Sequence, residues 1–510
     1  MLNRLITNYL IEMYGIDENS KYDIFSISAR KLVNYTRFDL MAKWIYVDSL
    51  EKGLNMSLAI DIYCDSINAF SCGTFIEPGR EEKDSIDKYI KEFNDIIINI
   101  KKYGFDKRKS LIPLGNNNEI FDGSHRLTVA AYYDKDVDVI RFADKHPGAI
   151  FDYKFFRSHL MCEAYMGYMA LKYACEFPNC YLACVWPIAD RKKLSIVEEL
   201  ISEIGEIVFL QDVYLNYDGI RNFMIQVYGH QKWTGNIDNR FIGVDEKAEA
   251  CFKKGNPVRA ILFQAESFDS VISVKEKIRE LFNIGNHSIH ISDNQQETRE
   301  MAELLFNPNS VFFLNQSKTY EYSNVHKKIK ELRKEIVEKG LDTNRFIIDS
   351  SAVLEICGLR PARDIDYLTD YEDITLDSSK KFADDHRSQM QYHTISIKDM
   401  LYNPSNYFYY DGMKFLSVQR LREMKKNRNE EKDVLDVELC DVFLTKENGI
   451  PREYRQEILK KIREQQKRDN EYGNGVSGFR EYYFSRIKKA VAILFKPIRF
   501  LKKIIKDMLI

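Results

Sequence analysis

The chain has 510 residues, 45% of them hydrophobic and 30% charged, which excludes a disordered or fibrous sequence and is enough for several folded domains. A formal net charge of −2, from 75 Lys and Arg against 77 Asp and Glu, argues against a dedicated nucleic-acid binder, so no DNA partner is expected. The nine cysteines form no C-x-x-C pair, no apolar run reaches the roughly 18 residues of a spanning helix, and the opening MLNRLITNYL breaks its apolar run with charge and amides. Reduced thiols and a cytoplasmic location follow as expectations.

In the first region, residues 1–155, Ile86, Ile90, Phe93, Ile97 and Ile100 recur at helical spacing and predict an amphipathic helix from Ile86 to Tyr103. Two short strands, Leu111 to Leu114 and Glu119 to Phe121, are expected around the turn Gly115-Asn116-Asn117-Asn118. The segment Asp122-Gly123-Ser124-His125-Arg126-Leu127 then opens a helix through Ala130 and Ala131. Backbone N–H groups at a helix start, with an arginine beside them, suit an anion. This stretch resembles the ParB/sulfiredoxin-like fold, marked by a D-G-x-H-R-type turn between a strand and an Ala-rich helix. The resemblance implies that Asp122, His125 and Arg126 handle nucleotide phosphate. It brings no DNA role, because no helix-turn-helix or basic stripe follows.

The second region, residues 156–318, reads as strand Tyr181 to Trp186, helix Lys193 to Ile204 and strand Ile207 to Val213. Helical sequence follows at Asp218 to Tyr228 and Glu246 to Lys254. Then come strand Val258 to Gln264, helix Val271 to Phe282, a loop with His290, helix Glu297 to Phe306 and strand Val311 to Leu314. The β-α-β…β-α-β order predicts a ferredoxin-like α+β layer. Cys175, Cys180 and Cys184 read as buried free thiols. The stretches VWPIAD, GNPVRAILFQAES and IRELFNIGNHSIHISDNQQETREMAELLF resemble nucleoside-diphosphate kinases. The resemblance places His290 on the phospho-accepting histidine and Arg279 on a phosphate contact. Trp186 stands where the family has its phosphate-binding lysine and Ile291 where it has a glycine, so the region also reads as a degenerate fold that only binds or braces, with His290 as a structural histidine.

The third region, residues 319–470, starts with a connecting helix, His326 to Gly340. An apolar run, Phe346-Ile347-Ile348, leads to the small-residue turn Asp349-Ser350-Ser351, a helix Ala352 to Cys357 and a strand bearing Asp364 and Asp366. Alternation sets those two acids on one strand face, where their repulsion favours a divalent cation such as Mg²⁺ held together with substrate phosphates. A further strand and helix follow from Gly412-Met413-Lys414-Phe415-Leu416-Ser417 to MKKNRNEEKDVLDV. This order of parts resembles the nucleotidyltransferase superfamily. The resemblance implies that Asp364 and Asp366 are catalytic metal ligands, and that Ser350 and Ser351, in place of the usual Gly-Ser, lie at the phosphates of a nucleoside triphosphate. Arg363, Lys425 and Lys432 are further candidates for binding nucleotide. Asp399, after the alternating run His393 to Ile397, is the first candidate for a third catalytic acid. Asp411, beside a glycine, reads as a hairpin turn.

A charged helix, Arg452 to Arg468, and the loose patch Gly473 to Gly478 lead into residues 471–510. There Phe484, Ile487, Val491, Leu494, Ile498, Leu501, Ile505 and Leu509 share a stripe amid eight Lys and Arg, with Pro497 as a kink. Such a helix suits an anionic membrane surface through 484–509 or docking on the chain or a second copy, so a homo-oligomer stays open.

Together these features predict a multidomain α/β and α+β chain on the inner face of the membrane. It would be a Mg²⁺-dependent nucleotidyltransferase that activates a small sugar or polyol phosphate for cell-envelope or capsular polysaccharide. Three alternatives stay open: a phosphotransferase using the first or second region, a toxin-like transferase modifying protein or RNA, and an inactive nucleotide-binding scaffold.

Overall fold

The computed structural model describes residues 6–445, apart from 18–19, 78, 109, 147–149 and 379–380. Among the described residues the chain is a mixed α/β protein with three small sheets. The helix Arg452 to Arg468 and the basic stripe 484–509 lie outside the described residues.

The first sheet has the order β1-β3-β2 (Tyr22–Ser28, Asp136–Phe142, Ile112–Leu114), with β3 antiparallel to β1 and parallel to β2. The predicted amphipathic helix forms at Ile86–Tyr103 and buries Tyr89, Phe93, Ile97 and Ile100. The expected strand Glu119 to Phe121 shrinks to a single bridge, Leu114 to Ile120. Under this layer Asp39, fully buried, accepts two bonds from Arg37 (2.9 and 3.0 Å) and one from Lys43 (2.5 Å), so its charge is matched where water cannot reach it.

The second sheet has the order β5-β6-β4-β7 (Glu206–Val213, Val258–Gln264, Cys180–Val185, Ile289–Ile291), every pair antiparallel. The helix Leu194–Ser202 joins β4 to β5, and the helix Phe268–Phe282 joins β6 to β7. His290 corrects the loop expectation: it lies within β7, opposite Cys184. The expected strand Val311 to Leu314 is instead part of the helix Pro308–Gln316. Asn307 caps that helix by accepting from Asn309 N–H, and Pro308 starts it, which outweighs the β-rich Val-Phe-Phe run. Burial pushes the Cys175 and Cys180 thiols up to about 12, so both stay as inert thiols.

The third sheet is mixed, with the order β10-β9-β8-β12-β11 (Ala383–Asp385, Ile365–Thr369, Phe346–Asp349, Met413–Leu416, Tyr407–Tyr410). β9 is antiparallel to β8 and parallel to β10; β12 is parallel to β8 and antiparallel to β11. Edge strand β11 is covered by the Pro308–Gln316 helix, where Tyr409 N–H donates to Ser310 Oγ and Asn307 Nδ2 donates to Tyr407 O. The β11–β12 turn is Asp411-Gly412, both at positive φ (47° and 75°), as its Asp-Gly sequence implies. A Cβ on Gly412 would fall 2.0 Å from Arg333 Cζ, so Gly412→Ala should displace Arg333 from Glu300 and cost about 1–3 kcal/mol, read from a denaturation midpoint.

Candidate functional site

β8 is buried along its whole length and ends on Asp349, fully buried. The chain then turns at Ser350, with φ +61°, into the helix Ser351–Ile356. The backbone of Ser350 is in a region that glycine adopts without strain. Ser350→Gly should therefore raise stability by about 1 kcal/mol, seen as a higher denaturation midpoint, even as it removes a hydroxyl from the site.

Asp366 lies in β9 and Asp364 just before it, so Asp364 does not itself pair in the sheet. The register places Asp366 opposite Asp349 on β8 and opposite Asp384 on β10. Laterally paired residues share a sheet face, so three acids from three strands stand in one row with Asp364 two residues ahead. Burial pushes the Asp366 carboxyl up, and Asp364 and Asp349 add to that, while His386 and a hydrogen bond from Ser350 oppose it.

Asp349 is held by imidazoles. His386 Nδ1 is 2.9 Å from its Oδ2, and His393 Nε2 is 3.3 Å from the same oxygen but off hydrogen-bond alignment. Ser350 N–H donates to Asp349 Oδ1 at 2.5 Å. Burial alone would raise the Asp349 pKa, yet bonding to His386 and the charge of both imidazoles hold it well below the usual carboxylate range. Burial would likewise lower His386, but its bond to Asp349 and the charges of Asp349 and Asp366 raise it.

The other candidates fall in different places. Asp399 is not in the acid row: it sits in the first turn of the helix Ile397–Tyr402 capped by Ser396, which replaces a continued alternating run. Its Oδ2 accepts from Ser396 Oγ (2.7 Å) and its Oδ1 from Asn55 N–H (2.7 Å), so it ties two segments together. Lys425 is buried between Asp433 (3.2 Å) and Asp436 (2.8 Å), with Arg428 and Arg360 on the same acids. That network clamps the helix Val418–Arg428 to the helix Glu431–Thr445 and turns Lys425 inward. Lys432 is an exposed side chain paired with Glu430 at 3.0 Å. Arg363 is exposed beside Asp364, its carbonyl accepting from Lys328 Nζ.

In the first region, Gly123 (φ +85°) makes the turn before the helix Ser124–Tyr132, and a Cβ there would meet Ile112 Cδ1 at 2.6 Å. Asp122 Oδ1 accepts from Gly123 N–H at 2.6 Å. His125 Nε2 meets Tyr63 Oη at 2.7 Å, and Arg126 bonds Ser110 Oγ. Burial pushes the His125 imidazole well below its usual value, and Lys43, Lys83, Arg37 and Arg126 add to this, so it stays neutral near pH 7. In the second region, His290 Nε2 is 2.9 Å from Glu297 Oε1, and Arg279 Nη1 donates to Glu276 Oε1 at 2.5 Å; both residues border one cavity.

Sequence reasoning missed Asp349, Asp384, His386 and His393. The signals were the acid that closes FIID ahead of the small-residue turn and the run Asp384-Asp385-His386. Among the described residues no group of three or more His, Cys, Asp or Glu is arranged to hold a metal ion. No helix among them is long and apolar enough to cross a membrane. No known family, curated protein or solved structure matches the chain.

Proposed function

We propose that this chain is a Mg²⁺-dependent nucleotidyltransferase working from the third sheet. The observation that carries the reading is the acid row: Asp366 beside Asp349 and Asp384, Asp364 just ahead, and the strained Ser350 turn next to Asp349. Strained backbone concentrates at functional sites, and here it lies next to carboxylates whose repulsion the fold does not fully neutralise.

Asp364 and Asp366 form a two-carboxylate donor set, and two is the number Mg²⁺ commonly takes from protein when water and substrate phosphates complete its shell. The residues therefore fit the ion, which when bound neutralises charge on the phosphates. Ser350 and Ser351 offer hydroxyls to the triphosphate, with Arg363 beside Asp364. The acceptor oxygen bonds to the α-phosphorus as the α–β phosphoanhydride bond breaks and pyrophosphate leaves. The Asp349–His386 pair fixes the turn that carries both serines. A sugar or polyol phosphate acceptor, used for cell-envelope polysaccharide, is the class we infer, because the basic stripe 484–509 suits a membrane-surface site.

The β-α-β-β-α-β order and all-antiparallel second sheet support a ferredoxin-like reading of 156–318. The Gly123 turn ahead of its helix supports the ParB/sulfiredoxin-like reading of 1–155. The test is pyrophosphate release from each ribonucleoside triphosphate with Mg²⁺ across sugar and polyol phosphates. Release with one nucleotide–acceptor pair is the expected result. Orthophosphate or nucleoside diphosphate as the product, or no product with any acceptor, would overturn the reading.

A further inference from the structure

The cavity bordered by His290 and Arg279, of about 650 Å³, opens beside β7, between the helix Phe268–Phe282 and the helix Ile242–Cys251. Lys247, Lys275, Arg279 and His287 line it, against Glu246 and Asp293 as its acids. Lys275 is matched by Asp293 at 3.1 Å, and Arg279 Nη1 by Glu276 at 2.5 Å. Two donors are left over. Lys247 Nζ donates only to a carbonyl, Asn286 O at 3.0 Å, and among the described residues no carboxylate stands within ion-pair distance of it. Arg279 Nε is buried with no hydrogen-bond partner among the described residues.

A buried guanidinium N–H without an acceptor is costly, and an ammonium facing an arginine across a cavity is costly for the same reason. Burial pushes the Lys247 ammonium down, and the Arg279 charge adds to this. An anion in the cavity would offset the charge of both side chains at once. At the mouth Trp233, 45% exposed, offers a flat apolar face, and Tyr228 forms the inner wall.

We propose that this cavity binds the phosphate group of a small phosphorylated molecule through Lys247, Arg279 and Lys275, without a metal ion, with Trp233 against the rest of the ligand. The site is separate from the acid row of the third sheet. It takes anions on fixed cations, whereas the acid row needs an added one.

The test uses the full chain in EDTA at low ionic strength, titrated with inorganic pyrophosphate and, separately, with ribose 5-phosphate, followed by calorimetry and tryptophan fluorescence. Trp44 and Trp186 are buried, so a fluorescence change that Trp233→Phe abolishes reports on this mouth. Saturable binding is expected, weakened about tenfold or more by Lys247→Gln and by Arg279→Gln. Lys277→Gln, an exposed neighbour on the same helix, should leave it unchanged, as should Asp364→Asn with Asp366→Asn. Stronger binding of the sugar phosphate would identify a phosphorylated metabolite as the ligand class, and stronger binding of pyrophosphate a free polyphosphate. No saturable binding of either probe, or binding that survives both cavity substitutions, would overturn the proposal. Because metal is absent, neither result depends on the transferase reading.

Discussion

Asp366→Asn should lower nucleotidyl transfer by about 10²–10³-fold or more and leave the fold as stable as before, or more so. Activity falls because the neutral amide no longer supplies the charge that the site needs. Stability does not fall, because the ionised Asp366 is a burden on the folded chain. Burial raises its pKa first, and Asp364 and Asp349 push the same way. A folded-state pKa above the unfolded one means that the charge costs stability at any pH where the unfolded acid is ionised. That cost disappears below the ordinary carboxylate value, where the acid is neutral in both states. Melting curves of wild type and Asp366→Asn should therefore differ most near pH 7, with the variant equal or higher, and converge near pH 3–4. The loss of the Ser350 bond and of attraction to His386 reduces the gain without reversing it. A structural acid gives the opposite pattern: retained transfer with a clearly lower melting temperature. That outcome would remove Asp366 from the site.

Elements with a strong period were legible in the sequence, among them the Ile86–Tyr103 helix and β6, whose apolar runs are long enough to fix both type and bounds. So was the Asp411-Gly412 hairpin, because that dipeptide suits few other turns. β7 was not, since three residues give no period and its strand character comes from pairing with β4. The candidate site divided in the same way. Asp364 and Asp366 stand two apart, and their shared face follows from local geometry. Asp349, Asp384 and His386 reach Asp366 only through the order β10-β9-β8, which arises from strand pairing across gaps of 17 to 37 residues in the chain. Lys425 failed for a related reason. A lysine near two acids reads the same whether it faces a ligand or its own helix pair, and burial between Asp433 and Asp436 decides it.

The second large effect is expected at Asp349. Replacing it with Ala removes the counter-charge of the His386 imidazole in a buried site, and breaking such a pair costs about 3–5 kcal/mol, enough to unfold a marginal chain. Asp349→Asn keeps the shape and should cost somewhat less. The pH dependence has a definite sign. His386 is raised above its ordinary value by Asp349 and Asp366, although burial and Arg428 oppose this. Its contribution is then full below the unfolded histidine value of about 6.5 and is lost as pH rises through the higher folded value. Asp349 is lowered, so its contribution is full above the ordinary carboxylate value of about 3.9 and is lost as pH falls through the lower folded one. The pair therefore stabilises the turn most between about pH 4 and 6.5. Wild-type melting temperature should decline on the alkaline side of that window, and His386→Gln should flatten the decline. An alkaline limb that is identical in wild type and His386→Gln would mean that the imidazole is neutral in the folded chain. The Asp349–His386 contact would then be an ordinary hydrogen bond, and the serine turn would be held by packing instead of charge.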